Sequence, residues 1–134
     1  MQRLSELQLG GAGRTPVILQ SEATECGLAC LAMVAAHHGH LEDLSSLRRQ
    51  FGVSQRGATL KTLMTTATGL ALSPRAIRCE ADELTRVTLP AVLHWQFNHF
   101  VVVTRVSRDK VTIHDPAVGK RQYRLDEVRR SFTG

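Results

Sequence analysis

Aromatic residues are scarce, with four Phe, one Tyr and one Trp in 134 residues. They are not interleaved with basic residues, and no nucleic-acid-binding motif accompanies them, so nucleic acid is not an expected partner. Cysteine is sparse too. Three thiols at irregular spacing, with no CxxC pair, exclude a disulfide framework and fit a reducing compartment. The longest uncharged apolar run, Leu28 to Ala36, falls well short of the roughly 20 residues a membrane span needs. The start, "MQRLSELQLGGAGRTP", has no apolar core like that of a signal peptide. Internal repeats and low-complexity segments are also missing. A soluble, cytosolic chain is expected.

What is present is an ordinary globular composition, 43% hydrophobic and 22% charged, in a length that suits one domain with a real core. Net charge is +5, which favours acidic partners. The basic pairs Arg48-Arg49 and Arg129-Arg130 read as solvated helix faces.

Residues 1–15 read as a flexible, Gly-rich arm and residues 16–134 as the folded domain. Thr24 is an expected N-cap, with Glu25 and Cys26 in the first turn of a helix that is apolar on nearly every face and stops at Gly39. "LEDLSSLRRQFG" spaces Leu41, Leu44, Leu47 and Phe51 for an amphipathic helix, and a third helix fits between Gly57 and Gly69. A short strand is expected next, then a helical turn at "EADELTRV". Beyond Pro90 the β-branched runs "AVLHW", "FVVVTRV", "KVTIHD" and "KRQYRL" alternate with turn residues and predict an antiparallel meander. A helix at Asp126–Phe132 closes the chain. Helices first and sheet second is an α+β layout.

Cys26 at a helix start lies among unpaired N–H groups at the positive end of the macrodipole, which favours thiolate, the nucleophilic form. Buried packing is the competing reading of such a cysteine, and Cys30, one turn further in, suits that role. Cys79 has no suggestive neighbours. In the sheet half, His99 opens a core strand, where a titratable ring needs a partner. Asp115 ends the neighbouring strand and would fix the tautomer and direct the imidazole to a thiol, the Cys/His/Asp arrangement of acyl transfer. Gln20 would offer a side-chain N–H to an oxyanion beside the Cys26 amide. One geometric conflict stands in the way. A two-residue turn at Arg108-Asp109 pairs Asp115 with Val102, on the face away from His99, so a bulge or a bend at Pro116 is required. His94 and His114 read as satisfied core or surface residues. His37, His38 and His40 cluster at a helix end, where the dipole favours them, and lie at no zinc spacing from the cysteines.

Gln20, "ECGLACLAM" around Cys26, "HW" at 94–95, "NHFVVV" around His99 and "HDPAVGK" around Asp115 together resemble the family C39 cysteine peptidase domain. In that family the domain is the N-terminus of bacterial ABC exporters of double-glycine bacteriocins, the colicin V exporter type. The resemblance runs from about Pro16 to Gly134 and implies a papain-like fold. It also implies Cys26 as nucleophile, His99 as general base and acid, Asp115 as its orienter and Gln20 in the oxyanion hole. The implied substrate is a precursor peptide cut after the Gly-Gly-type pair that ends its leader. Two glycines suit a cleft too narrow for Cβ atoms, and a basic domain suits an acidic leader whose amphipathic helix docks on an apolar groove. The implied partners are the membrane and nucleotide-binding domains of the same transporter, at the cytoplasmic face of the inner membrane. No cofactor is implied for the peptidase step, since ATP belongs to the separate nucleotide-binding domain. Degenerate relatives lose the cysteine, whereas this chain keeps it. A non-cleaving leader-recognition domain and a papain-like thiol acyltransferase remain the alternatives. Finally, "RLSELQLGGAG" in the arm, with Leu4, Leu7 and Leu9 ahead of Gly10-Gly11, itself resembles a leader end.

Overall fold

Cys26 opens α1 (Cys26–His37), a helix so uniformly apolar that only a position between other layers can satisfy it. The computed structural model describes residues 14–52 and 57–133; the leader-like stretch and all but the last two residues of the expected arm lie outside them. A single 3-10 turn, Ala23–Glu25, leads into α1. The cap differs from expectation. It is Glu25, not Thr24, that serves the chain entry, its carboxylate accepting from the Ser21 and Glu22 N–H groups at 3.0 and 3.1 Å. Gly39 closes the helix at φ +90, a conformation that costs a residue with a Cβ.

Two shorter helices cover α1. In α2 (Leu44–Phe51) the Asp43 carboxylate caps the Ser46 N–H at 2.7 Å, and Leu44 and Leu47 face inward. Leu41, expected in this helix, stays outside it and exposed, because the Asp43 cap starts the helix at Leu44. α3 (Leu60–Gly69) begins at the Thr59–Thr62 capping pair. The strand expected after it does not form; residues 72–80 belong to no helix or strand. The stretch is mostly exposed, so it has no apolar face for a sheet to bury. The expected helical turn is a 3-10 segment, Ala81–Arg86.

The meander forms as read. Strands β1 (Ala91–Trp95), β2 (His99–Val106), β3 (Lys110–Asp115) and β4 (Gly119–Arg124) pair antiparallel in that order, and α4 (Leu125–Ser131) follows. Alternate residues of β2 feed two separate cores. Phe100 and Val102 join α1, α2 and α3, whereas Val101 and Val103 join Leu84, Leu93, Trp95, Ile113 and Val128 on the other face. Met33, Leu47, Leu84 and Ile113 are fully buried, each contributing about 1.5–3 kcal/mol relative to exposure. The second strand is thus clamped from both sides, which makes its first residue, His99, a firm mounting point.

The geometric conflict at Asp115 is resolved by a bulge. Val106 pairs with Val111 and Arg105 with Thr112, but the register then slips, so that Val103 meets Ile113 and Val102 meets His114. Thr104 is the extra residue. Continuing that register sets Asp115 across from Val101, in the same alternation set as His99.

Candidate active site

The first turn of α1 meets the start of β2 and the end of β3, so Cys26, His99 and Asp115 are brought together from three elements. His99 and Asp115 are joined by a 2.6 Å bond between Nε2 and Oδ1. The ring donates there, and the Ala117 N–H donates to the same oxygen at 2.8 Å. With Nε2 committed, Nδ1 is the nitrogen left for the thiol.

The charges in this group reinforce one another. His99 is raised to about 9, first by its bond to Asp115 and then by Cys26, against a smaller opposing effect of burial. Burial pushes the Cys26 thiol up, but His99 and the backbone N–H groups of Phe100 and Gly27 outweigh it, and the net displacement is downward. Burial likewise raises Asp115, yet His99 and the Ala117 N–H hold it below the usual carboxylate range. The thiol, the imidazole and the carboxyl group form one coupled unit. Cys30 is its opposite: fully buried in the apolar core and pushed well up by that burial. Cys79, half-buried, is also raised, by burial and then by Glu83 and Glu80.

Gln20 lies beside the turn that follows Asp115 and is not among the residues lining the Cys26 cleft. Its backbone N–H donates to the Pro116 carbonyl at 2.8 Å, tying it to the turn that follows Asp115. Its side-chain Oε1 is buried and has no hydrogen-bond partner among the described residues. A buried amide end without a partner is uncommon in a folded protein.

Cys26 lies in the floor of an open cleft of about 300 Å³. The small residues Ala23, Gly57 and Ala58 line it, as do Thr24, His94, Phe97, Asn98 and Phe100. Two of these were missed in the sequence. His94 is not simply a packed histidine: it lines the cleft, and its Nε2 donates to the Phe97 carbonyl at 2.9 Å. Phe97 is 82% exposed, at φ +67 beside Gln96 at φ +51, a left-handed pair that non-glycine residues seldom adopt. The turn is held by the C-terminal segment, since Gln96 N–H donates to the Ser131 carbonyl and Phe97 N–H to Thr133 Oγ1. No sequence signal marks that pairing, because its partners lie far apart along the chain. His114, by contrast, is buried and donates from Nδ1 to the Pro16 carbonyl at 3.0 Å. The reading of Arg48 as a solvated charge also fails, because its guanidinium Nε donates to the fully buried Glu25 carboxylate.

A thiol at a helix start, an imidazole on a neighbouring strand and a carboxylate behind it are the parts of a cysteine-peptidase site on a helix-plus-sheet scaffold. Residues 14–134 match the model of the Peptidase C39 family, and the chain belongs to that family. Over 133 residues it is 47% identical to the colicin V secretion/processing ATP-binding protein of Escherichia coli. It is 46% identical to the probable microcin-H47 secretion/processing ATP-binding protein of the same species. These alignments take in 99% of this chain but 19% of each relative's length. A crystal structure of a double glycine motif protease from an AMS/PCAT transporter, in complex with the leader peptide, superposes with a TM-score of 0.85 at 38% identity. That match covers 92% of this chain and 89% of the other. The described helices include none long and apolar enough to cross a membrane.

Proposed function

We propose that this chain is a cysteine endopeptidase that removes the leader of a secreted peptide precursor by cutting after a double-glycine-type pair. The reading rests above all on the 2.6 Å His99–Asp115 bond placed beside Cys26. In this mechanism the Cys26 thiolate attacks the carbonyl carbon of the second glycine. The oxyanion that forms is met by the Cys26 backbone N–H and the Gln20 side-chain amide. His99, held as imidazolium by Asp115, gives its proton to the leaving amine, the C–N bond breaks, and a thioester remains. Water then attacks the thioester, His99 takes one of its protons, and the thiolate returns as the leader departs as a carboxylic acid, which releases the other proton to solvent. Atoms and charge balance with no cofactor.

The module is further read as residues 16–134 of an exporter at the cytoplasmic face of a bacterial inner membrane, with residues 1–15 an arm. Membrane and nucleotide-binding domains of the same protein would be its partners, with ATP used only there. The 19% share of the relatives' length supports this placement.

The test is incubation with a precursor whose leader ends in Gly-Gly, followed by mass spectrometry. A single cut after the second glycine is expected, absent in a folded Cys26→Ala variant and largely kept in Cys30→Ala. Leader binding without cleavage would instead identify a recognition domain. Acyl transfer to an added amine in place of hydrolysis would identify an acyltransferase.

A further inference from the structure

Glu25 precedes the nucleophile directly, lies inside the "ECGLACLAM" stretch, and has no part in the mechanism above. It is nonetheless fully buried. A carboxylate in that position is unfavourable unless donors surround it. Three do. Oε1 accepts from the Ser21 and Glu22 N–H groups at 3.0 and 3.1 Å, and Oε2 accepts from Arg48 Nε on α2. Arg48 and then the two N–H groups hold the carboxyl below its ordinary range, against burial, so it stays ionised.

These bonds fall on one short segment. Residue 20 is fixed by its own N–H to the Pro116 carbonyl, and residues 21 and 22 are fixed to Glu25. The loop is therefore pinned on one side to the turn that ends the Asp115 strand, and on the other to the residue before Cys26. The Gln20 side chain, with its partnerless buried oxygen, leaves the chain between those anchors. We infer that the Glu25–Arg48 pair is a positioning device for Gln20, setting the oxyanion-hole amide relative to Cys26 by holding the 20–22 loop against the start of α1. The inference builds on the peptidase reading and its role for Gln20. Glu25 touches no reacting atom; it acts through the loop.

The experiment is a double-mutant cycle between Glu25→Gln and Gln20→Ala, with kcat and KM measured on a Gly-Gly precursor. Glu25→Gln keeps the side-chain shape and one acceptor but sets an amide against Arg48. Its kcat should fall about 10- to 100-fold, less than the 10²–10³-fold expected when an oxyanion donor is removed outright. KM should stay within about twofold, and in the Gln20→Ala background the same change should cost little more. Alkylation of Cys26 by iodoacetamide should proceed at the wild-type rate, since thiolate formation does not use the oxyanion hole. Arg48→Lys, which keeps the charge but not the planar donor, serves as the milder second variant and should lie between wild type and Glu25→Gln. Full kcat in a folded Glu25→Gln protein would overturn the inference. So would losses that simply multiply with those of Gln20→Ala. If neither variant folds, the pair belongs to stability and the inference also fails. An inactive wild type, or a Gln20→Ala variant with unchanged kcat, would instead overturn the reading beneath it.

Discussion

At the scale of single residues, the site is a row of three groups that set one another's protonation. Asp115 holds the proton on Nε2 of His99, the ring stays cationic to about 9, and the cation lowers the Cys26 thiol from its ordinary value. On the proposed peptidase mechanism the active pair is thiolate with imidazolium, so its window is bounded below by protonation of Cys26 and above by loss of the His99 proton. As pH rises through about 9 the ring becomes neutral and can no longer protonate the leaving amine, so kcat/KM should fall there. Asp115→Asn removes the leading cause of the upward shift. Its alkaline limb should move to lower pH and its kcat should drop, as a pH–rate profile with a Gly-Gly precursor will measure. An alkaline limb left in place would mean that Asp115 does not govern the ring. Gln20→Ala makes the complementary prediction. A loss on the order of 10²–10³ in kcat, with leader affinity nearly unchanged by direct binding, is expected from removal of one oxyanion donor. A variant that weakens only leader binding would take Gln20 out of that role.

At the scale of elements, the site depends on how closely α1 approaches its neighbours. A Cβ built on Gly27 would come 2.7 Å from Leu63 Cδ2 and 2.8 Å from Ala58 Cβ. Leu63 belongs to α3, while Ala58 forms part of the cleft wall. Gly27→Ala should therefore destabilise the fold by about 1–3 kcal/mol, as overpacking does, and displace the cleft lining at Ala58. Denaturant unfolding checks the first effect and a raised KM for the precursor the second. Leu63→Ala in the same chain should restore little of the KM, because Ala58 still obstructs the added methyl. Unchanged stability and KM would show that the wall yields freely. The same elements show what was legible in the sequence. The meander was, because β-branched runs and turn residues announce strands wherever one face or both are buried. Cys26, His99 and Asp115, which the fold brings together, stood out in the sequence because a thiol at a helix start and polar groups at the ends of core strands are local anomalies. The geometry required a bulge or a bend at Pro116, but the bulge at Thr104 had no signature of its own, since nothing about a threonine says that it stands unpaired. The strand expected after Gly69 was misread because β-propensity without a face to bury does not make a ladder. Arg48 was misread because the partner that draws it inward, Glu25, lies 23 residues away and on another element. Glu25 itself carried a weak signal, a glutamate three residues after Glu22 at a helix entry, where reciprocal capping is common.

At the scale of the whole molecule, the charge distribution carries the remaining expectation. Seventeen Lys and Arg against twelve Asp and Glu leave a formal charge of +5. Some of the basic residues are paired within the fold, as Arg48 is with Glu25 and Arg129 with Asp82, and such pairs leave the excess unchanged. Arg49, Arg75, Arg78, Lys61 and Arg121 remain exposed, with no ion pair among the described residues. A positive surface of this kind raises the encounter rate with an acidic peptide without fixing where it cuts. The catalytic unit responds differently, because its charges are half-buried and a few ångströms apart, well inside any screening length. Salt should therefore act on recruitment and spare chemistry. Raising ionic strength from about 0.01 M to about 0.15 M shortens the Debye length from about 30 Å to about 8 Å. Over that range the apparent KM for an acidic leader should rise while kcat stays level. A leader with its Glu residues changed to Gln should start with the higher KM and respond little to salt. Steady-state kinetics on the two precursors across the salt series makes the comparison. If KM is flat for both, the apolar contacts of the leader account for recognition and the excess of Lys and Arg serves something else. If kcat falls in step with KM, salt is reaching the Cys26–His99 pair, and the separation of recruitment from chemistry is wrong.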